Sequence, residues 1–386
     1  MAPKFKYLVC FSHLRWDFVY QRPQHLMSRA AEGCIVYYVE EPVFDAGSIP
    51  VMELVQRQDK VWLAVPHLPI GLAENEVNFH LASLLESMLS EISMHDCLFW
   101  YYTPMALKFT TGLKPAYTVY DCMDELSAFK FAPAEIIQLE KKLFEVADIV
   151  FTGGQSLYKA KQNHHENIHL FPSSIDKQHF QKARYNCQQP QDQACIFGFK
   201  LGFYGVIDER FDIELIEAIA TRRADWQIIL IGPVVKIDPA SLPRNANIHY
   251  LGPKTYEQLP SYLSGWDVAL IPFLLNESTV FISPTKTPEY LAGGKPVVST
   301  AIKDVVYEYG TNGAVAIGKD PDEFIALIDR YYVERPDRHW IEKIDQLLAS
   351  NSWDHTFCSM SSLISEGIIG IQTKHSPDRI LDADNH

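Results

Sequence analysis

Short apolar runs alternate with amphipathic stretches along this chain, and the pattern is played through twice. In the first half the strand-like runs cover residues 7–11, 34–39, 61–65, 97–102, 117–120, 148–152 and 168–171. Helix-like segments lie between them. One starts at Pro23. A second, over 76–93, sets Val77, Leu81, Leu84, Leu85 and Met88 on one face. A third, over 134–147, follows Pro133, a suitable first-turn residue. The polar, Gln-rich segment 181–194 reads as a linker. The alternation then restarts, with strands at 201–207, 226–232, 247–252, 267–273, 296–300 and 314–318. Asp212 is placed to cap the first helix of this half, whose core face is Leu215, Ile216 and Ile219. Further helices are expected over 256–263, 288–292 and 321–332, and a last one from Ser352 onward. Strands alternating with helices build βαβ units and a mainly parallel sheet. The expectation is α/β: two tandem, doubly wound, Rossmann-like domains facing a cleft. The boundaries are 1–180, a linker at 181–194, 195–350, a C-terminal helix at 351–372 and a frayed polar tail at 373–386. Such sheets bind ligands at the carboxyl ends of their strands, where the strand order reverses.

Composition narrows the class. The 386 residues are 47% hydrophobic and 21% charged, which allows two independent cores. A net charge of −14 disfavours nucleic acid as a partner. The seven cysteines are scattered and form no CxxC pair, so they read as reduced thiols of a cytoplasmic protein. The first apolar run is broken by Ser12 and His13 and fits a buried strand better than a signal peptide. No apolar stretch of about 18 residues occurs, so no spanning helix is expected and any membrane contact is weak and peripheral.

The most informative stretch is 283–298. Ser283, Pro284 and Thr285 lead into a helix carrying Lys286 and Glu289, which ends at Gly293 and Gly294 before a buried strand. Free N–H groups at a helix start favour an anion such as a diphosphate. Lys286 adds a full charge at an end where the helix dipole disfavours cations, and Glu289 is placed to accept hydrogen bonds from the vicinal hydroxyls of a ribose. A capped helix with surface charges explains the same residues equally well. In the loop 13–23, Trp16 or Tyr20 would stack on a sugar and Arg22 would meet a phosphate; the alternative is a packed loop. Asp121 and Asp124 follow a strand, where acids orient an acceptor hydroxyl or take its proton; Asp124 reads equally as a helix cap. Gly153 and Gly154 fit either close approach to a ligand or a tight turn. His164, His165 and His169 complete no familiar ligand set, and the Asp382/Asp384 pair lies in the tail, so no metal site is expected. No GxGxxG follows the first strand of either half, and no GxSxG occurs.

The 283–298 stretch resembles the donor-site signature of GT-B glycosyltransferases, especially the retaining group known as family 4 or glycosyl transferases group 1. RWDFVYQRPQHLMSRAA, YDCMDELSAF, FTGGQSLYKAK, NIHLFPSSID and NSWD are similar to a bacterial subgroup linked to surface and exopolysaccharide synthesis. The resemblance covers nearly the whole chain, and implies a GT-B fold whose C-terminal helix crosses back to the N-terminal domain. It implies a hexosyltransferase-type enzyme that moves a sugar from a nucleotide-sugar, UDP- or GDP-linked, to a sugar or glycoconjugate acceptor, with retention and without cofactor or metal. Lys286 and Asp121 become the catalytic candidates. Glu289, Ser283, Thr285, Gly205, Arg210, Gly232 and Tyr256 become the donor-binding set, and Trp16, Arg22 and Asp124 the acceptor-binding set. The chain departs from the group twice. Phe281 stands where a second glutamate is usual, and Arg210 alone represents the usual Arg and Lys pair. Two rival readings keep the fold: a nucleotide-sugar 2-epimerase, and a non-catalytic sugar-nucleotide-binding subunit.

Overall fold

A computed structural model describes residues 5–374 except Asn186. Asp382, Asp384 and most of the expected tail lie outside the described residues. The first sheet contains β1 (Tyr7–Phe11), β2 (Ile35–Val39), β3 (Val43–Ala46), β4 (Val51–Gln58), β5 (Val61–Pro69), β6 (Cys97–Tyr101), β7 (Tyr117–Cys122), β8 (Ile149–Thr152) and β9 (Ile168–Leu170). Its order is β3-β5-β2-β1-β6-β7-β8-β9, with β4 antiparallel on β5 and every other pairing parallel. Strands β3 and β4 escape the sequence pattern. β4 is mostly exposed, so it lacks the apolar run that marks the buried parallel strands.

The second sheet holds β10 (Phe199–Tyr204), β11 (Trp226–Ile231), β12 (Ile248–Gly252), β13 (Val268–Ile271), β14 (Val297–Ser299) and β15 (Val315–Ile317). It is wholly parallel, in the order β12-β11-β10-β13-β14-β15. The strand order reverses between β1 and β6 in one sheet and between β10 and β13 in the other. These switch points are where a doubly wound sheet offers a crevice. Asp212 caps the helix Ile213–Arg222, accepting from the Leu215 amide at 2.9 Å, and Leu215, Ile216 and Ile219 are buried. The helix Arg338–Leu347 was not anticipated; its N-cap, Asp337, accepts from the Trp340 amide.

The final helix, Trp353–Lys374, returns to the first sheet. Trp353, Met360, Ile364 and Ile368 belong to the same buried cluster as Leu8, Val36 and Trp100. Residues 181–194 carry short helical turns, and Gln193 is buried, bonding the Tyr262 carbonyl and the Trp266 indole.

Packing at the centre of the second sheet yields a stability test. Gly202, in β10, lies against the Trp266 ring, and a Cβ there would overlap it. Gly202→Ala should lower stability by about 1–3 kcal/mol through overpacking. The urea midpoint measures this, and an unchanged midpoint would mean that the indole shifts freely.

Candidate active site

β10 and β11 end at Gly205 and Gly232, with φ of 137° and 139°. Both lie in the left-handed region that favours glycine. A Cβ on Gly232 would overlap the Gly205 carbonyl, and one on Gly205 would press on the Lys286 side chain. Glycine at both positions lets the strand ends close up and leaves room for a lysine. Lys286 is the first residue of the helix Lys286–Ala292. Its Nζ lies 5.4 Å from the Phe203 ring centre and 5.0 Å from that of Phe273, over the switch point between β10 and β13. Among the described residues no carboxylate lies within ion-pair distance of it. Burial lowers its pKa to about 8; Arg210 pushes the same way, and Glu289 and Asp208 oppose.

Glu289 follows one turn later, 6% exposed. It accepts a 2.7 Å hydrogen bond from the Tyr204 hydroxyl. Burial pushes its pKa up to about 7, against the pull of Tyr204 and Lys286. Arg210 is engaged by Asp208 through Nε, at 3.0 and 3.1 Å, and through Nη2, at 2.6 Å. Its guanidinium lies 5.3 Å from the Phe129 ring centre, and Lys236 lies over the same ring. The Ser283 carbonyl accepts from the Ser173 hydroxyl at 2.8 Å, across from the first sheet. Thr285 precedes the helix without a side-chain cap bond.

Tyr256 is the centre of an aromatic stack. It faces His179 at 4.4 Å and Tyr20 at 4.6 Å, and Tyr20 meets His25, which stacks on Trp353. Its ring thus joins the two halves, while its hydroxyl is buried without a partner.

The first-sheet candidates separate. Arg22 and Asp121 are buried against each other, at 2% and 0% side-chain exposure. Arg22 Nε lies 3.1 and 3.0 Å from the two Asp121 oxygens, Nη2 is 2.8 Å from Oδ1, and Nη1 donates to the Phe171 carbonyl. Asp121 is fully enclosed by this pair and does not line the cleft, whereas Arg22, although engaged by Asp121, does. Trp16, 7% exposed, packs edge-on against Tyr38 with its amide on Glu40 and also lines the cleft. Asp124 does line the cleft. Burial raises its pKa to about 6, with Arg210, Arg22 and Lys236 opposing and Asp208 reinforcing. Phe18, overlooked in the sequence, lines the cleft at 48% exposure.

The glycine pair has a structural reason. A Cβ on Gly153 would overlap the Met123 backbone, and one on Gly154 would overlap Asp304 of the second half. Asp304 accepts from the Ser156 amide, at 2.9 Å, and from its hydroxyl, so it caps a helix of the opposite domain. His164 stacks on Phe144, His165 bonds the Ala147 carbonyl and His169 bonds Asn167. Among the described residues no three His, Cys, Asp or Glu side chains are placed to hold a metal, and no helix is long and apolar enough to cross a membrane.

Between the halves lies a cleft of about 740 Å³. Lys286, Glu289, Arg210, Thr285 and Asp124 share it, with Gly205 and Gly232 in its wall. Arg22→Ala would strand the Asp121 carboxylate in the interior. It should cost about 3–5 kcal/mol of stability in the ligand-free protein, the range for breaking a buried pair. A normal urea midpoint combined with lost acceptor binding would return Arg22 to the acceptor site.

Residues 199–333 match the family described as glycosyl transferases group 1. The chain is 25% identical over 287 residues to TuaH of Bacillus subtilis (strain 168), named for glycosyl transfer in teichuronic acid biosynthesis; the match covers 68% of this chain and 70% of that one. Among solved structures, sucrose-phosphate synthase from Thermosynechococcus elongatus superposes with a TM-score of 0.69 at 13% identity, covering 95% of this chain and all of that one. An E. coli trehalose-6-phosphate structure bound with UDP-2-fluoro glucose superposes with a TM-score of 0.68 at 12% identity, covering 93% and 99%. Identities this low speak for the fold alone. The chain thus has the GT-B fold, and its second domain carries the match to glycosyl transferases group 1.

Proposed function

We propose that the chain transfers a glycosyl group from a nucleoside-diphosphate sugar to a hydroxyl of a glycan or glycoconjugate, with retention and without a metal ion. The observation that carries the reading is Lys286, a half-buried ammonium with no carboxylate within ion-pair distance among the described residues, at the switch point of the second sheet and one helical turn from Glu289. A diphosphate supplies the missing anion, and Glu289 supplies an acceptor for ribose hydroxyls. The second domain, 195–350, then holds the donor, and the first, 1–180, the acceptor. Serine and threonine at 283 and 285 frame the diphosphate with the helix start. UDP-2-fluoro glucose in the E. coli structure supports the donor class. The name of the Bacillus relative supports a surface-glycan acceptor. Seven free cysteines support a cytoplasmic location.

The bond from the anomeric carbon to the diphosphate oxygen breaks, and negative charge grows on the leaving group. Lys286 and the helix start stabilise that charge more in the transition state than before it. The acceptor oxygen attacks from the same face, and its proton passes to the departing phosphate. Asp124, the acid that faces the cleft, orients the acceptor hydroxyl. The group 1 match does not favour an epimerase, and the paired presence of Lys286 and Glu289 disfavours a subunit without catalysis.

The reading is tested by melting the protein with UDP, GDP, ADP, CDP or dTDP at about millimolar concentration. At least one should raise the melting temperature, because a ligand of the folded state stabilises by mass action. No shift with any of them would remove the donor site.

Lys286→Ala should lower kcat by about 10²–10³ while donor binding weakens less. Lys286→Arg should rescue in part, since the planar fork presents its donors differently. The sugar-transfer rate of the unmutated enzyme should be insensitive to EDTA. Because burial depresses the Lys286 pKa, its charged form costs stability below about 8. Lys286→Ala should therefore melt higher than wild type at neutral pH, with the gain shrinking as pH rises above that value. Normal turnover in the alanine protein would make Lys286 a surface lysine.

A further inference from the structure

Tyr204 closes β10 at the wall of the cleft, 5% exposed. Its hydroxyl reaches Glu289 Oε2 at 2.7 Å. The phenol has little freedom to turn elsewhere. The Tyr204 N–H donates to the Tyr290 hydroxyl at 2.9 Å, and that hydroxyl donates to the Tyr204 carbonyl at 3.3 Å. The Tyr204 ring packs edge-on against Tyr290 at 4.7 Å and lies 5.7 Å from the Trp266 ring. A clamped donor thus occupies one oxygen of a carboxylate whose residue lines the cleft.

We propose that Tyr204 is a positioning residue for donor recognition, its hydroxyl fixing Glu289 through Oε2 so that Oε1 is presented to the ribose hydroxyls. This rests on the nucleoside-diphosphate reading of the same site. A carboxylate on a rotatable side chain loses part of its binding energy to ordering, and a preset hydrogen bond reduces that loss. The bond also favours the ionised form that accepts from a diol. Burial alone has already pushed Glu289 up to about 7, and the Tyr204 hydrogen bond and the Lys286 charge pull in the opposite direction. The groups facing Glu289 are Lys286 and Tyr290 on its own helix, Tyr204 at the end of β10, and Tyr256. Without the Tyr204 hydroxyl the proton is held to higher pH.

The experiment is calorimetric titration of wild type and Tyr204→Phe with UDP, GDP and ADP and with their 2′,3′-dideoxy counterparts, from about pH 6 to pH 9. Phenylalanine keeps the ring contacts, and a melting scan confirms the fold. Wild-type affinity for the tightest ribonucleotide should rise as Glu289 ionises. In Tyr204→Phe the midpoint of that rise should move about one unit alkaline, with binding about tenfold weaker than wild type near neutrality and the gap closing towards pH 9, the loss of the Lys286 charge near 8 being common to both proteins. Dideoxynucleotide affinity should be the same in both proteins. Glu289→Gln should abolish the difference between the two backgrounds at every pH. A midpoint unmoved in Tyr204→Phe, or a loss equal at every pH and shared by the dideoxy ligands, would overturn the role of Tyr204 while leaving the donor site standing. Failure of wild type to bind any of the three ribonucleotides would overturn both.

Discussion

Desolvation of the half-buried Lys286 ammonium, with no carboxylate within ion-pair distance among the described residues, sets the terms for everything around the cleft. A buried cation is costly unless it is paired. Its nearest aids are indirect: two aromatic faces, from Phe203 and Phe273, and a glutamate one turn along its own helix. The backbone around it is arranged to admit it. Gly205 and Gly232 take left-handed conformations, and the closed-up strand ends make room for the lysine stem.

Much of this was legible in the sequence because parallel sheets bury both faces, which leaves continuous apolar runs. Strands such as β1, β6 and β13 announce themselves in that way. β4 does not, because its residues are largely exposed and only pairing with β5 defines it. The same contrast divides the site. Lys286 and Glu289 stand at fixed spacing in a local motif, so chain order reveals them. The sequence favours Asp121 over Asp124 for the cleft, yet Asp121 is enclosed by Arg22, distant along the chain, and Asp124 lines the cleft. Trp16 is ambiguous for a similar reason: a loop tryptophan exposes a sugar platform or fills a core, and its packing on Tyr38 at the cleft is set by residues far along the chain. Tyr204 was hidden by its own strand, where a hydroxyl at the end of an apolar run adds nothing to the pattern.

The two halves are joined by interactions that the chain order conceals. Asp304 caps a helix of the opposite domain, Tyr256 stacks between His179 and Tyr20, and Ser173 bonds the Ser283 carbonyl. The last of these ties the loop that leads into the helix Lys286–Ala292 to the first half, and Phe281, packed on the first half's core, adds a second tie. Gly154, which invites a ligand reading, is needed for this approach of the two halves, and Gly153 for the close packing of its turn on the Met123 backbone.

Phe281 brings the charge balance together. It stands where the related group carries a second glutamate, and here it packs against the buried cluster of the first domain, among residues such as Val150 and Leu157. An acid at that position would be drawn into an apolar interface at a desolvation cost with no cation to meet it. Arg210, another basic residue at the cleft, is already engaged by Asp208. The helix Lys286–Ala292 brings to the cleft one cation with no carboxylate within ion-pair distance, Lys286, and one acid of raised pKa, Glu289. On the proposed reading these two charges on one helix serve phosphate and ribose. That economy makes each more sensitive to its surroundings than in a site with duplicated charges. It also explains why the groups that hold them, Gly205 beneath the lysine and Tyr204 against the glutamate, sit side by side at the end of the same strand.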